Sequence, residues 1–257
     1  MSAREPLYET PWTVSDVDDC HFYHWMDIPG HGQVEADWDL RGGEADYLGG
    51  VALEGRRVLE IGPASGFMTF FMESRGAEVV AVELAPDADW DIVPQASVDL
   101  ELRRREHSQV MQAVRRGFWF AHARNASSAR VHYGTAYDIP AELGRFDVAL
   151  MGSVCLHLRE PLRAVEACAR LSDRLVIADR HWPELGDQPV ARLAPSAESG
   201  EWGTWWDMTP QFLVRFLGVL GYGQTSISFH EQRYTYPGGV VLIPMFTVVA
   251  TRDGTDA

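Results

Sequence analysis

The chain contains no lysine; all 22 of its positive residues are arginine. That excludes a Schiff-base lysine, a pyridoxal phosphate linkage and a P-loop lysine. Arginine remains for recognising carboxylates or phosphates. Cysteine is scarce as well. Cys20, Cys155 and Cys168 are scattered and odd in number, so neither a disulfide framework nor a Cys-x-x-Cys zinc site is expected. No apolar run approaches the ~18 residues of a membrane span. Met1–Glu5 lacks the apolar stretch of a signal peptide. The expected compartment is reducing, hence cytoplasmic. No internal repeat or low-complexity tract is present.

Positive charge is in short supply overall. Against 37 Asp and Glu, the arginines leave a net charge of −15. A nucleic-acid binder needs a cationic face, and this chain as a whole repels phosphate backbones. The acid is concentrated early, with eleven Asp or Glu and two Arg in residues 1–50. One stretch runs the other way: Arg103, Arg104, Arg105, Arg115, Arg116, Arg124 and Arg130. It reads either as the solvated face of a helix or as a docking patch for an acidic partner.

What is present is enough for a large core: 257 residues, 46% of them hydrophobic. Residues 1–50 are rich in Trp, His, Asp and Gly without a clear period, and read as a cap of short helices and loops. Residues 51–257 read as an α/β domain with a Trp-rich insertion at about 181–208. The apolar runs Val58–Ile61, Val79–Val82, Val131–Tyr133, Asp147–Met151 and Leu175–Ala178 are predicted strands. Helices are predicted between them, at Phe67–Ser74, at about 100–122, and from Pro161. Continuous apolar strands separated by helices indicate a parallel sheet covered on both faces. In the helix over 100–122, Leu102, Val110, Val114 and Phe118 are expected to face inward. Thr209 is a predicted N-cap with Pro210 at the first helical position, and Gly221 stops that helix. Two β-rich runs, 225–231 and 240–251, close the chain as an antiparallel pair.

The strongest local signal is Glu60-Ile61-Gly62-Pro63-Ala64-Ser65-Gly66, placed after a strand and before a helix. Glycines let the backbone turn tightly and approach a ligand. The next strand ends in Glu83, where a carboxylate can accept two hydrogen bonds from a ribose diol. This half-motif alone serves nicotinamide dinucleotides as well as other adenosine cofactors.

Further segments narrow it. Glu60-x-Gly62-x-x-x-Gly66 resembles motif I of the class I S-adenosylmethionine (SAM)-dependent methyltransferases, with Ala64 in place of the usual middle glycine; the turn is expected to survive that change. Tyr133-Gly134-Thr135-Ala136-Tyr137-Asp138-Ile139-Pro140 resembles the family's adenine-side turn, although Thr135 stands where an acid is common. Gly144-Arg145-Phe146-Asp147-Val148 resembles its fourth-strand motif, and Ser153-Val154-Cys155-Leu156-His157-Leu158-Arg159-Glu160-Pro161 its post-strand signature. Phe22-Tyr23-His24, Asp39-Leu40-Arg41, Tyr47-Leu48-Gly49, Arg57 through Glu83, and Trp205-Trp206 before Thr209-Pro210 are similar to a subgroup that includes bacterial tRNA wobble-uridine modifying methyltransferases. Acidic charge and absent lysine speak against a tRNA partner, so the fold and cofactor are carried over and the substrate is not.

The resemblance implies a Rossmann-like sheet, mostly parallel with a closing antiparallel strand, and SAM as cofactor. It places Glu60, Gly62 and Ser65 along the methionine part of SAM, within the turn that Ala64 and Gly66 complete. It puts Glu83 on the ribose, Thr135 and Ala136 by the adenine, and Ser153 near the sulfonium.

On the acceptor side, a hydroxyl nucleophile gains from a nearby base, and histidine suits neutral pH. His157, which follows the fourth strand, is the leading candidate, ahead of His24 and His181. Each also has a structural reading, as a packed or backbone-capping imidazole. His21-x-x-His24 has a ligand-like spacing, but no carboxylate-histidine set accompanies it and no metal is expected. Trp25, Trp38, Trp90, Trp202, Trp205 and Trp206 fall in expected loops or the cap. They read either as packing of cap onto core or as the aromatic wall of an acceptor pocket, with Tyr23, Trp25, Trp205 and Trp206 as candidates. The resulting expectation is SAM-dependent methylation of a small molecule, at oxygen. Non-methyl SAM chemistry and nucleic-acid methylation are the alternatives. Oligomeric state is left open.

Overall fold

Each apolar run alternates its side chains between two faces, so each needs a layer of helix on both sides. The computed structural model, which describes residues 6–254, supplies those layers. Near the start, β1 (Met26–Ile28) and β2 (Gly32–Val34) form a small hairpin, followed by β3 (Trp38–Asp39) and α1 (Glu44–Tyr47). The α/β succession is β4 (Arg57–Ile61), α2 (Phe67–Ser74), β5 (Glu78–Leu84), α3 (Leu100–Arg124), β6 (Arg130–Gly134), β7 (Val148–Gly152), α4 (Pro161–Leu171) and β8 (Arg174–Arg180). Then come β9 (Ala191–Leu193), β10 (Trp206–Met208), α5 (Pro210–Val219), β11 (Gln224–Tyr236) and β12 (Gly239–Thr251).

Eight strands join one sheet in the order β3-β11-β12-β8-β7-β4-β5-β6. From β4 through β8 the pairing is parallel, and β12 runs antiparallel to β8. This is the mostly parallel, Rossmann-like sheet with a reversed closing strand that the sequence implies. Leu59, Ile61, Val80, Val82, Met151 and Ile177 pack against α4 and α5 on one face. Val58, Val79, Leu150 and Val176 pack against α1 and α2 on the other. Because β4 lies between β5 and β7, strand order reverses there. Ligands of open α/β sheets sit at the carboxyl edge beside that reversal.

The helix signals hold in detail. Thr209 accepts a hydrogen bond from the Phe212 amide and Pro210 opens α5, while Pro161 opens α4. Several expectations need correction. Leu102 and Val110 do not face inward; they are 42% and 47% exposed. Burial in α3 begins only at Val114, because only its later turns lie against sheet residues such as Ala81 and Val131. The first 50 residues are not confined to helices and loops. They contribute the β1–β2 hairpin, and β3 joins the main sheet by pairing with Arg233 and Tyr234 of β11. The 181–208 insertion contains a two-stranded ladder, β9 with β10. β11 runs five residues past the expected end, to Tyr236, because backbone pairing to β12 continues where the apolar alternation stops. Met1–Glu5, read above for a leader, lies outside the described residues.

Candidate functional site

The turn between β4 and α2 places three residues in left-handed backbone: Gly62 at φ +69°, Ala64 at +50° and Gly66 at +92°. Glycine adopts this region freely. For Ala64 it costs on the order of 1 kcal/mol, so the turn survives the Gly-to-Ala departure with some strain. A Cβ at Gly62 would lie 2.9 Å from Val154 Cγ2. Ser65 is fully buried, and its hydroxyl accepts a hydrogen bond from the Tyr23 amide at 3.0 Å. The cap therefore sits directly on the turn.

Glu60 and Glu83 end buried strands and are themselves buried. Thr69 donates to Glu60 at 2.5 Å, yet burial pushes the Glu60 carboxyl up to about 7, with smaller contributions from Glu83 and Glu73. Glu83 accepts from the Leu84 amide at 2.8 Å. Burial raises it too, and the Arg115 guanidinium works in the opposite direction. Arg115 is the buried member of the arginine-rich stretch; it donates to the Leu84 carbonyl at 2.8 Å. Thr135 and Ala136 follow β6, where the Thr135 hydroxyl accepts from the Tyr137 amide at 3.3 Å. Ser153 follows β7 in left-handed backbone at φ +51°. Strained non-glycine residues of this kind cluster at functional sites. Its amide donates to the Ala178 carbonyl at 2.7 Å, and the Tyr47 hydroxyl lies 3.5 Å from its Oγ.

The candidate histidines fall into separate clusters. His157 has Nδ1 2.7 Å from the Gly203 carbonyl and its ring beside Trp90; burial lowers its pKa. His24 lies against Tyr23 and Phe67, near the glycine turn, and burial pushes it down to about 4. His181 sits against Phe229 of β11. Among the described residues, no group of His, Cys, Asp and Glu could hold a metal ion.

The aromatic candidates divide as well. Trp205 donates from Nε1 to the Asp91 carbonyl at 2.5 Å, and its amide bonds the Leu156 carbonyl. Trp206 bonds the Arg159 carbonyl at 3.2 Å. Both thus lie over the segment that follows β7. Trp25 stacks under Arg41 instead, and Arg41 lines a cavity of about 400 Å³ with Met26, Phe67, Phe70 and Phe71, on α2.

Sequence reasoning missed several residues. The loop over 85–99 joins the cover of this edge. Asp91 accepts from the Tyr137 hydroxyl and from the Arg159 amide, while Val93 bonds the Trp202 carbonyl at 2.8 Å. Trp90 packs on His107, and His107 on Trp202. Tyr47, expected only as part of a family-like segment, is buried beside Ser153. Asp179, which ends β8 within the sheet, is buried, and burial pushes it up to about 7. A signal for it was present: like Glu60 and Glu83, it is an acid at the end of a buried apolar strand.

No family model and no curated protein matches the chain. Solved structures do match. A putative RNA methyltransferase from Pyrococcus horikoshii is 14% identical over 81% of this chain and 80% of its own, with a TM-score of 0.49. The 1,6-didemethyltoxoflavin N1-methyltransferase of Burkholderia thailandensis is 17% identical over 82% and 78%, with a TM-score of 0.47. Magnesium protoporphyrin IX methyltransferase from Synechocystis PCC 6803 is 14% identical over 78% and 76%, with a TM-score of 0.46. These are proteins to which the chain is similar in fold.

Proposed function

We propose that this chain is a SAM-dependent methyltransferase acting at oxygen on a small molecule. The observation that carries the reading is the carboxyl edge at the strand reversal. There a left-handed turn, the start of α2 and two buried strand-ending acids, Glu60 and Glu83, converge, with no ion pair to either acid among the described residues. The residues fit the cofactor. Gly62 has no room for a side chain, because a Cβ there would lie 2.9 Å from Val154 Cγ2. Glu83 offers the acceptor that a ribose diol requires. Glu60, Ser65 and Ser153 would hold the methionine part, and Thr135 and Ala136 the adenine. Bound there, SAM supplies a methyl group already activated on a cationic sulfur. The chain's own task is then to bind, orient and exclude water. Anionic and aromatic side chains at this edge suit a cation.

A small acceptor suits the surface. Of the seven arginines in the basic stretch, Arg115 is buried, Arg103 and Arg130 pair with Glu106 and Glu78, and Arg124 lies on the Phe120 ring. That breaks up the cationic face a nucleic acid would need. No described helix is long and apolar enough to cross a membrane. The cysteines are free, and we place the chain in the cytoplasm.

The test is product analysis with methyl-labelled SAM and a panel of small alcohols, phenols, amines and carboxylates. S-adenosylhomocysteine and a labelled hydroxyl compound are expected. Methylthioadenosine would overturn methyl transfer, and label in added tRNA would overturn the small acceptor.

A further inference from the structure

Asp179 ends β8 one strand away from Ser153, and the Ser153 amide bonds the carbonyl of its neighbour Ala178 at 2.7 Å. Asp179 is 3% exposed. The Arg180 amide donates to Oδ1 at 2.8 Å. Oδ2 is buried with no hydrogen-bond partner. Buried polar atoms are nearly always partnered, so an unpartnered carboxylate oxygen calls for a specific explanation. A sheet core has no use for it. No arginine pairs with Asp179 among the described ion pairs.

The surroundings point to a ligand. Tyr47 is fully buried, its ring lies on Gly152, and its hydroxyl lies 3.5 Å from Ser153 Oγ. The electrostatic neighbours of Asp179 on this edge are Tyr47, the Cys155 thiol and Asp207. None is a cation. Ser153 holds its left-handed backbone beside them. Tyr47 of α1, Ser153 just after β7 and Asp179 of β8 are therefore neighbours at this edge, where Asp179 Oδ2 is buried without a partner.

We propose that Tyr47, Ser153 and Asp179 form the subsite for the reacting group of the acceptor, and that this group is a hydrogen-bond-donating hydroxyl whose proton passes to Asp179 Oδ2. The proposal rests on the methyltransferase reading and names the acceptor chemistry of that same site. In the reaction, the acceptor oxygen forms a bond to the methyl carbon. The carbon–sulfur bond breaks with its electron pair going to sulfur. The O–H bond breaks with its electron pair staying on oxygen and its proton going to the carboxylate. Burial holds Asp179 near 7, where a carboxylate is basic enough to serve as a general base at neutral pH. His157 is differently placed, with one ring nitrogen against Gly203 and its ring against Trp90.

Phenol and anisole are the probes: anisole keeps the oxygen but carries a methyl group where phenol has its O–H. The chain, labelled at its aspartate carboxyl carbons and saturated with S-adenosylhomocysteine, is titrated with each. Phenol should move the Asp179 resonance saturably and anisole should not. Asp179→Asn keeps the shape and, with its carbonyl oxygen toward Arg180, that amide contact. It should weaken phenol binding at least tenfold while leaving S-adenosylhomocysteine affinity within about twofold. It should slow methyl transfer by about 10²–10⁴-fold. Equal responses to phenol and anisole, or unchanged phenol affinity in Asp179→Asn, would overturn the subsite. If that variant fails to fold, the phenol–anisole comparison on the parent chain decides alone. Failure of S-adenosylhomocysteine to bind would sink the methyltransferase reading instead, and the same titration without it would still decide the subsite.

Discussion

The two edges of the sheet treat acidic residues in opposite ways. At the amino edge Glu78, Asp173 and Asp147 each pair with arginine. Glu78 pairs with Arg57 at 3.1 Å and with Arg130. Asp173 pairs with Arg145 at 2.6 Å and Arg252 at 3.2 Å, and Asp147 with Arg56 at 3.7 Å. Hydrogen bonds from Arg57 and Arg145 hold Glu78 and Asp173 below the usual carboxylate range. At the carboxyl edge Glu60, Glu83 and Asp179 are buried, and burial drives all three up. Paired, half-exposed acids make a weakly stabilising rim. Buried acids without a salt bridge oppose folding, and such perturbed groups gather where a ligand is to be met. One sheet thus separates its arginine-paired acids from its buried, unpaired ones by strand polarity.

The largest test of this contrast is Gly62→Val. The position has φ +69°, and a Cβ there would lie 2.9 Å from Val154. The branched side chain should abolish S-adenosylhomocysteine binding in calorimetry. Binding within threefold or so of the parent would move the cofactor off this edge.

Opposite ends of β5 give a matched pair. Glu83→Ala should weaken cofactor binding by about 1–3 kcal/mol, the usual cost of leaving hydrogen-bonding groups without a partner. Glu78→Ala, at the amino end of the same strand, should leave that affinity unchanged. Equal losses in both would mean a general effect of β5 and not a site.

The two edges should also differ in the sign of their pH dependence. Glu60 ionises near 7 in the folded chain against its usual 4.5. Between those values the unfolded chain releases the proton and the folded chain keeps it. Stability therefore falls as pH rises through this window and levels off above it. Asp173 acts in reverse. Held below its usual 3.8, it favours the folded chain above that value, and the benefit is lost as pH falls through its lowered value. Urea unfolding at about pH 5 and about pH 8 should show Glu60→Gln gaining on the parent at the higher pH, by on the order of 1–3 kcal/mol. Asp173→Asn should lose less than about 1 kcal/mol at neutral pH, because partial exposure screens its pairs. Matching pH profiles for the two variants would erase the contrast.

The smallest expected effect is at Ala64. Its φ of +50° is costly for alanine, so Ala64→Gly should relieve strain and raise stability by at most about 1 kcal/mol, offset in part by the greater chain entropy of glycine. A lowered melting temperature would mean that the methyl group packs usefully.

The parallel sheet and the left-handed turn after β4 were legible because they rest on local rules. Val79–Val82 announces a buried strand, Gly62 and Gly66 announce left-handed backbone, and Thr209-Pro210 announces a helix start. What escaped depends on contacts between distant parts of the chain. Tyr47 meets Ser153 across more than a hundred residues, and nothing local to either marks the pair. Asp91 lies in a loop without periodicity, yet ties Tyr137 to the Arg159 backbone. Leu102 and Val110 follow helical spacing, but no sheet lies beneath their part of α3 and they stay exposed. Asp179 was readable in principle, through the rule that Glu60 and Glu83 already obeyed.

The central claim is that the carboxyl edge holds SAM. Calorimetric titration of the full chain with S-adenosylhomocysteine, and separately with NAD, tests it most directly. Saturable binding of S-adenosylhomocysteine at one site, lost in Gly62→Val and absent for NAD, is the predicted result. Saturable heat with NAD and none with S-adenosylhomocysteine would contradict it.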